Sequence, residues 1–132
     1  MQLTRAASYA IYALVHMARQ KDNQPIASHL TAREQGIPDR FLLKVLKSLT
    51  AQGILRSVKG PNGGYRLAKA PKDITLLEVI EAVDGPIQAQ GGFEGSEGNR
   101  LGKKLQAAWD QANEEARRQL GKVRLSDLAG KR

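Results

Sequence analysis

The sequence contains no cysteine among its 132 residues. Thiols are therefore unavailable for disulfides, thiolate zinc sites, cysteine-held iron–sulfur clusters or nucleophilic catalysis. Aromatic residues are also scarce, at 5% against 41% hydrophobic residues overall, so we expect an aliphatic core. No apolar run approaches the ~20 residues of a membrane span, and the N-terminus lacks the apolar segment of a signal peptide. We accordingly expect a cytoplasmic protein without a membrane partner.

Positive charge is concentrated in one part of the chain. The formal net charge is +8, and residues 33–72 hold nine Lys or Arg against two acidic residues, a local charge of +7. A basic surface without a specific role is common on small basic proteins. Here the charge coincides with a helix–turn–helix pattern, which favours a nucleic-acid partner. At this length we expect one domain with an appended helix.

The segment from Pro38 to Gln52 has the pattern of an amphipathic helix. Its apolar residues recur at i, i+1, i+4, i+5 and i+8, which predicts one buried face. They are Phe41, Leu42, Val45, Leu46 and Leu49. The other face carries, at i, i+3, i+4 and i+7, the residues Arg40, Leu43, Lys44 and Lys47. Side chains at this spacing form one ridge, and a ridge with three cations fits a DNA major groove, so we predict a recognition helix here.

Turn residues place further elements on both sides of this helix. Gly36 can end a preceding helix at about residues 28–35 in the left-handed conformation, and Pro38 suits a first helical turn. After Gly53 the pattern changes to strand, glycine-rich turn and strand. A helix–turn–helix at about 28–52 followed by a hairpin wing at 54–68 is a winged helix. We predict that residues 1–85 form this DNA-binding domain.

Two more helices are predicted in the same domain. The apolar pattern of residues 3–20 predicts a first helix, with Thr4 as its N-cap. We expect this helix to pack on the recognition helix. Leu30 is expected to point inward from the second helix. Thr75 and Glu78 predict a capping box, and with it the start of a fourth helix.

The C-terminal part predicts a long helix after a loop. Residues 86–100 are expected to form a flexible glycine-rich loop. Beyond it, apolar and small residues trace one stripe along a helix roughly 30 Å long. They are Leu101, Leu105, Ala108, Trp109, Ala112, Ala116 and Leu120. Such a helix exceeds what the small domain needs, so we expect residues 101–132 to pair two copies, with Trp109 as an anchor and a short terminal helix tucked onto the dimer. The alternative is that the long helix folds back on its own domain.

Several short motifs together resemble the Rrf2 family of bacterial winged-helix transcription regulators. They are residues 1–4, Tyr9-Ala10, Gly36-Ile37, residues 49–55, the wing at 57–65, Ile74-Thr75 and residues 82–85. That family includes an iron–sulfur cluster regulator, a nitric-oxide-sensitive repressor and a cysteine metabolism repressor. The resemblance covers nearly the whole chain. It implies a homodimer, paired through the long helix, that binds partly palindromic operators in double-stranded DNA.

The resemblance also assigns DNA contacts by position. These are at the start of the recognition helix and at the wing tip, namely Pro38, Arg40, Leu43, Lys44, Lys59, Asn62 and Gly63. Charge and position add Lys47 and Arg66 as phosphate or base contacts. The iron–sulfur cluster regulator has a glutamate where this chain has Leu43, so its operator preference is not transferred.

Many members of that family hold a cluster with three cysteines in the loop before the long helix. Residues 85–104 here contain neither cysteine nor histidine. Glu94 and Glu97 cannot replace thiolates for a soft cluster. We therefore predict a member without a cluster or another cofactor. Its signal would be a small molecule that enters between the long helix and the winged domain, or a partner protein.

We expect a sequence-specific DNA-binding transcriptional regulator that represses by occupying promoter DNA. An enzyme is not expected, because no acid–base pair or nucleophile–base arrangement is evident. Residues 60–64 also lack the Lys-Ser/Thr continuation of a nucleotide phosphate loop. His16 and His29 are each isolated, so no metal site is predicted. The main rival is a winged-helix module that binds a protein instead of DNA.

Overall fold

The computed structural model describes residues 3–87 and 99–130 of the chain. The order of elements is α1 (Arg5–Ala18), α2 (Ser28–Gln35), α3 (Asp39–Ala51), β1 (Leu55–Val58), β2 (Gly64–Leu67), α4 (Leu76–Asp84), α5 (Arg100–Leu120) and α6 (Leu125–Ala129). Short 3-10 turns lie at Lys21–Asn23 and Pro71–Asp73. The predicted glycine-rich loop lies mostly outside the described residues. None of the helices in the described ranges is long and apolar enough to cross a bilayer.

Helix α1 is the centre of the core. Thr4 caps its start as predicted, because the threonine side-chain oxygen accepts a hydrogen bond from the backbone N–H of Ala7 at 3.0 Å. Ala10, Ala13 and Leu14 are fully buried. Small alanines let neighbouring elements approach α1 closely, so the core is built from aliphatic residues packed at short range.

Helix α2 and the turn after it position α3. Gly36 ends α2 with a φ of 66°, the predicted left-handed cap. Pro38 is the N-cap residue of α3 rather than part of its first turn. The prediction that Leu30 points inward is wrong, because its exposure is 36% while Thr31 and Ala32 are buried instead. Thr31 can occupy the core because its hydroxyl lies 3.3 Å from Nδ1 of His16.

Helix α3 buries one face, with one exception to the predicted set. Leu42, Val45, Leu46 and Leu49 are buried as expected. Phe41 is 38% exposed and is therefore a rim residue. Its ring meets the ring of Tyr9 edge-on, with centroids 5.2 Å apart. The aromatic pair thus closes the edge of the core near the start of α3, and the prediction that Phe41 is a core residue is wrong.

The C-terminal segment returns to its own domain. Thr75 and Glu78 form the predicted capping box at the start of α4. The N–H of Leu125 donates to the carbonyl oxygen of Ile74 at 2.8 Å. Leu125 and Ala129 are buried, and α6 packs on α1. Leu125 and Ala129 thus complete the core of their own subunit, whereas Leu128 is 40% exposed, and the packing of this short helix on a dimer stays a prediction.

Helix α5 packs on α4 near its own C-terminal end. Leu120 contacts the apolar cluster around Ile80, and the Arg117 guanidinium forms an ion pair with Glu81. Further along the predicted stripe, Leu101 is 68% exposed and Leu105 is 41% exposed. A large part of the stripe on α5 is therefore left uncovered by its own domain.

Candidate nucleic-acid interface

The exposed face of α3 carries the predicted cationic ridge. Arg40, Lys44 and Lys47 are all exposed, on the side of the helix opposite its buried leucines. Leu43 lies among them and is 37% exposed. In the parts of the chain that the structure describes, these three cations form no ion pair. Their charge is therefore available to an external anion.

The wing is a two-stranded antiparallel hairpin beside this helix. Its register pairs Leu55 with Leu67 and Val58 with Gly64. Lys59 and Asn62 are exposed at the tip, and Gly63 is partly buried there. A Cβ atom at position 63 would collide with the carbonyl oxygen of Val58, so only glycine fits this tight turn. The turn consequently fixes where the two polar tip side chains emerge.

The segment before α2 anchors the wing, a contact that the sequence did not predict. Ile26 forms an antiparallel bridge with Tyr65, in which the two backbone hydrogen bonds have N···O distances of 2.9 and 3.0 Å. The Asn23 side chain donates to the carbonyl oxygen of Leu67 at 2.9 Å and accepts from its N–H at 3.2 Å. Asn23 has a φ of 52°, a left-handed conformation that asparagine tolerates. In the sequence, the adjacent residues Asp22 and Asn23 are the one signal for this turn.

Gly64 lies where the anchoring segment touches the wing. Its φ is 148°, and an added Cβ atom would collide with the carbonyl group of Ile26. The backbone approach that forms the bridge to Tyr65 therefore depends on glycine at this position. Gly63 and Gly64 of the Gly-Gly-Tyr wing are therefore each required, for different steric reasons.

Arg66 lies on the wing opposite another arginine. The hairpin register places it directly across from Arg56, which is exposed and is not among the predicted DNA contacts. Side chains alternate between the faces of a strand. Since Leu55 and Leu67 are buried, the two arginines occupy the outer face. The wing therefore adds cations on a surface separate from its tip.

The partly buried position of His16 changes the pKa of its ring. Desolvation by burial lowers its pKa below the ordinary 6.5, and the charge of Glu34 opposes this effect. Its ring lies between α1 and α2, near Thr31. It is thus part of the helix packing and not of the cationic ridge.

Comparison with known proteins places this architecture in a family. The sequence profile of the Rrf2 family, described as iron-dependent transcriptional regulators, matches residues 3–131. The chain belongs to the Rrf2 family. The family is one of transcriptional regulators rather than enzymes.

Individual relatives are similar to different extents. The chain is 36% identical over 88 residues to an rrf2-like helix–turn–helix regulator of Rhodobacter capsulatus, covering 64% of this chain and 59% of that protein. It is 32% identical over 136 residues to the helix–turn–helix regulator YffB of Lactococcus lactis, covering 98% and 87%. The chain spans little more than half the length of the Rhodobacter protein and of a Mycobacterium tuberculosis relative, at 59% and 54%.

A solved structure shares the fold. CymR, the global cysteine regulator of B. subtilis, matches with a TM-score of 0.82 at 22% identity, covering 98% of this chain and 96% of that one. The mainly helical fold with a hairpin wing is therefore confirmed as the winged-helix architecture of Rrf2-family regulators.

The residues of this chain do not fit an iron–sulfur cluster. The sequence has no cysteine, and its two histidines are His16 and His29. The ring of His16 is next to Thr31, and residues 3–87 and 99–130 contain no group of three His, Asp or Glu side chains that could hold a metal ion. Thiolate ligation, which soft clusters require, is thus unavailable.

Proposed function

We propose that this chain is a sequence-specific DNA-binding regulator that represses transcription as a homodimer on a partly palindromic operator. The observation that carries the proposal is the exposed ridge of Arg40, Lys44 and Lys47, which form no ion pair with a described carboxylate. The ridge lies on the second helix of a helix–turn–helix, the element that enters the major groove in such folds. Membership of a regulator family supports the same function.

The docking geometry follows from two copies of this domain. The recognition helices would enter successive major grooves about 34 Å apart. Arg40 is the candidate for bidentate reading of guanine, and Leu43 can contact a thymine methyl group. Lys59, Asn62 and Gly63 would contact a minor groove or its phosphates from the wing tip.

Homodimerisation is supported by the uncovered stripe on α5. Leu101 and Leu105 would leave water by packing on a second copy, and alanines along the same stripe allow the helices to approach closely. A two-fold axis would place the same residues on both sides of the interface. The pairing would fix the distance between the two recognition helices, which is what makes half-site spacing specific.

A regulatory ligand also has a candidate location. A cavity of about 500 Å³ lies along α1 and is lined by Ile11, Tyr12, His16, Arg19 and Leu128, among others. Its lining residues come from the N-terminal segment, α1, α2 and α6, so it is a different place from the predicted site between the long helix and the winged domain. Small-molecule sites are concave, mostly apolar and supplied with a few polar groups, and this cavity has that character. A small molecule held there would act without an iron–sulfur cluster, whereas a partner protein would use the outer surface. Since its target is bacterial DNA, the protein would work in the cytoplasm.

A gel-shift assay separates this proposal from a winged-helix module that binds proteins. The probe is DNA from the promoter region of the gene that encodes this chain, with unrelated DNA as competitor. We expect a shifted band that survives the competitor. Arg40→Ala should reduce the preference for the specific site by roughly 1–3 kcal/mol, whereas Lys103→Ala, an exposed lysine of α5 off the stripe, should not. No shift at low salt would contradict the proposal.

A further inference from the structure

The outer face of the wing holds two like charges directly opposite each other. Arg56 in β1 pairs with Arg66 in β2 in the hairpin register. Residues paired in this way have Cβ atoms about 4.5–5.5 Å apart, and like charges at this spacing destabilise the hairpin. The pair lies outside the wing tip and outside the ridge on α3.

Among the described residues, no acidic side chain forms an ion pair with Arg56 or Arg66. The ion pairs of that part of the chain involve Lys69, Arg117 and Arg118, and none involves either wing arginine. Glu78 lies just after the hairpin in sequence, but it accepts from Lys69 and caps α4. An external anion would therefore relieve a repulsion that the free protein contains.

The backbone around Arg66 is held on both sides. Tyr65 is bonded to Ile26, and Leu67 is bonded to the Asn23 side chain. Because the strand is held by hydrogen bonds at the residue before and the residue after, the backbone position of Arg66 is fixed before any ligand binds. A site fixed in advance loses less conformational freedom on binding.

We infer that Arg56 and Arg66 together bind one phosphate of the DNA backbone and form a contact separate from the wing tip. Guanidinium groups bind phosphate through paired, charge-assisted hydrogen bonds. Two of them on neighbouring strands can hold one phosphate between them, which replaces mutual repulsion with attraction to a shared anion. This inference rests on the proposed DNA-binding function and adds a phosphate subsite to it.

The test compares Arg56→Ala, Arg66→Ala and the double variant in the full chain. Binding to promoter DNA is measured by fluorescence anisotropy at several salt concentrations. One phosphate lost per subunit should flatten the slope of log affinity against log salt by about 1.8 per dimer in the double variant. Each single variant should flatten it less, because the remaining arginine still neutralises the phosphate. Arg100→Ala, an exposed arginine of α5, is the matched control and should leave the slope unchanged.

A second measurement distinguishes this site from a structural role. Removing either arginine relieves the repulsion, so each single variant should melt about 1–3 °C higher at low salt, and this gain should vanish at high salt. Arg66→Lys should keep the wild-type melting temperature. Lower melting temperatures together with weaker binding would mean that the arginines support the fold, and would overturn the inference.

The outcomes also separate the inference from the function on which it depends. If the wild-type chain binds DNA and the double variant keeps the wild-type slope, the phosphate subsite is wrong while the proposed function stands. If the wild-type chain does not bind DNA at all, both are wrong.

Discussion

Removing the apolar stripe of α5 should dissociate the proposed dimer. Leu101 and Leu105 are 68% and 41% exposed in the single subunit. At about 2 kcal/mol for a fully buried leucine, covering these exposed fractions would contribute roughly 2.2 kcal/mol per subunit. Two-fold symmetry doubles this to roughly 4.4 kcal/mol, which is on the order of a thousand-fold in the dimer dissociation constant. The double variant Leu101→Ala with Leu105→Ala should raise the dissociation constant by somewhat less than this, because alanine still buries part of the apolar area.

The assay is sedimentation equilibrium over a dilution series, with circular dichroism as a check on helix content. Alanine favours helices, so α5 should keep its structure. Lys103→Ala is the control, because Lys103 lies on the same helix off the stripe. A dissociation constant equal to that of the wild-type chain would refute the role of the stripe. A wild-type chain that is monomeric at every concentration would refute the dimer itself.

Three further predictions concern the wing and the helix packing. Gly64→Ala should lower stability by about 1–3 kcal/mol because its Cβ would collide with Ile26, seen as an earlier thermal transition. An unchanged transition would mean that the wing is not held there. Burial lowers the pKa of His16, so stability should be full above pH 6.5 and should fall as pH drops below it. Urea titrations between about pH 5 and pH 8 measure how the free energy of unfolding changes with pH, and His16→Asn should abolish the change that His16 causes. Lys59→Ala should flatten the salt slope of DNA binding by about 1.8 per dimer, with Lys103→Ala as the control.

Local rules predicted most elements of this fold. Gly36 ends α2 because its left-handed conformation is nearly free for glycine, and Thr75 starts α4 because its side chain satisfies a helix N–H. Both signals act within a few residues of each other, so a sequence displays them directly. The hairpin between residues 55 and 67 is equally local.

The features that the sequence did not predict depend on packing between distant segments. Helix α2 has only eight residues, too few for its apolar spacing to fix its orientation, so Leu30 was assigned to the wrong face. Phe41 lies at the core rim because Tyr9 meets it there. The bridge from Ile26 to Tyr65 and the docking of α6 on α1 join residues far apart in sequence. No periodic pattern encodes such pairings.

The candidate site likewise has a part that the sequence predicts and a part that depends on how segments pair. The ridge on α3 follows from helical periodicity, and its exposed cations lie where the spacing placed them. The pairing of Arg56 with Arg66 depends on hairpin register, which the turn conformation sets. The spacing within either strand therefore does not reveal that the two arginines share a face.

Salt dependence of binding to promoter DNA tests the central claim most directly. Besides Arg40, which would read a base, Lys44, Lys47, Lys59 and Arg66 give eight cations per dimer. If half to all of these eight contact phosphates, the slope of log affinity against log salt should lie between about −3.6 and −7.2. Fluorescence anisotropy with the full chain measures it. A slope in that range, with retention of the complex against unrelated competitor DNA, is what we expect. A slope near zero, or no binding at low salt, would contradict the account.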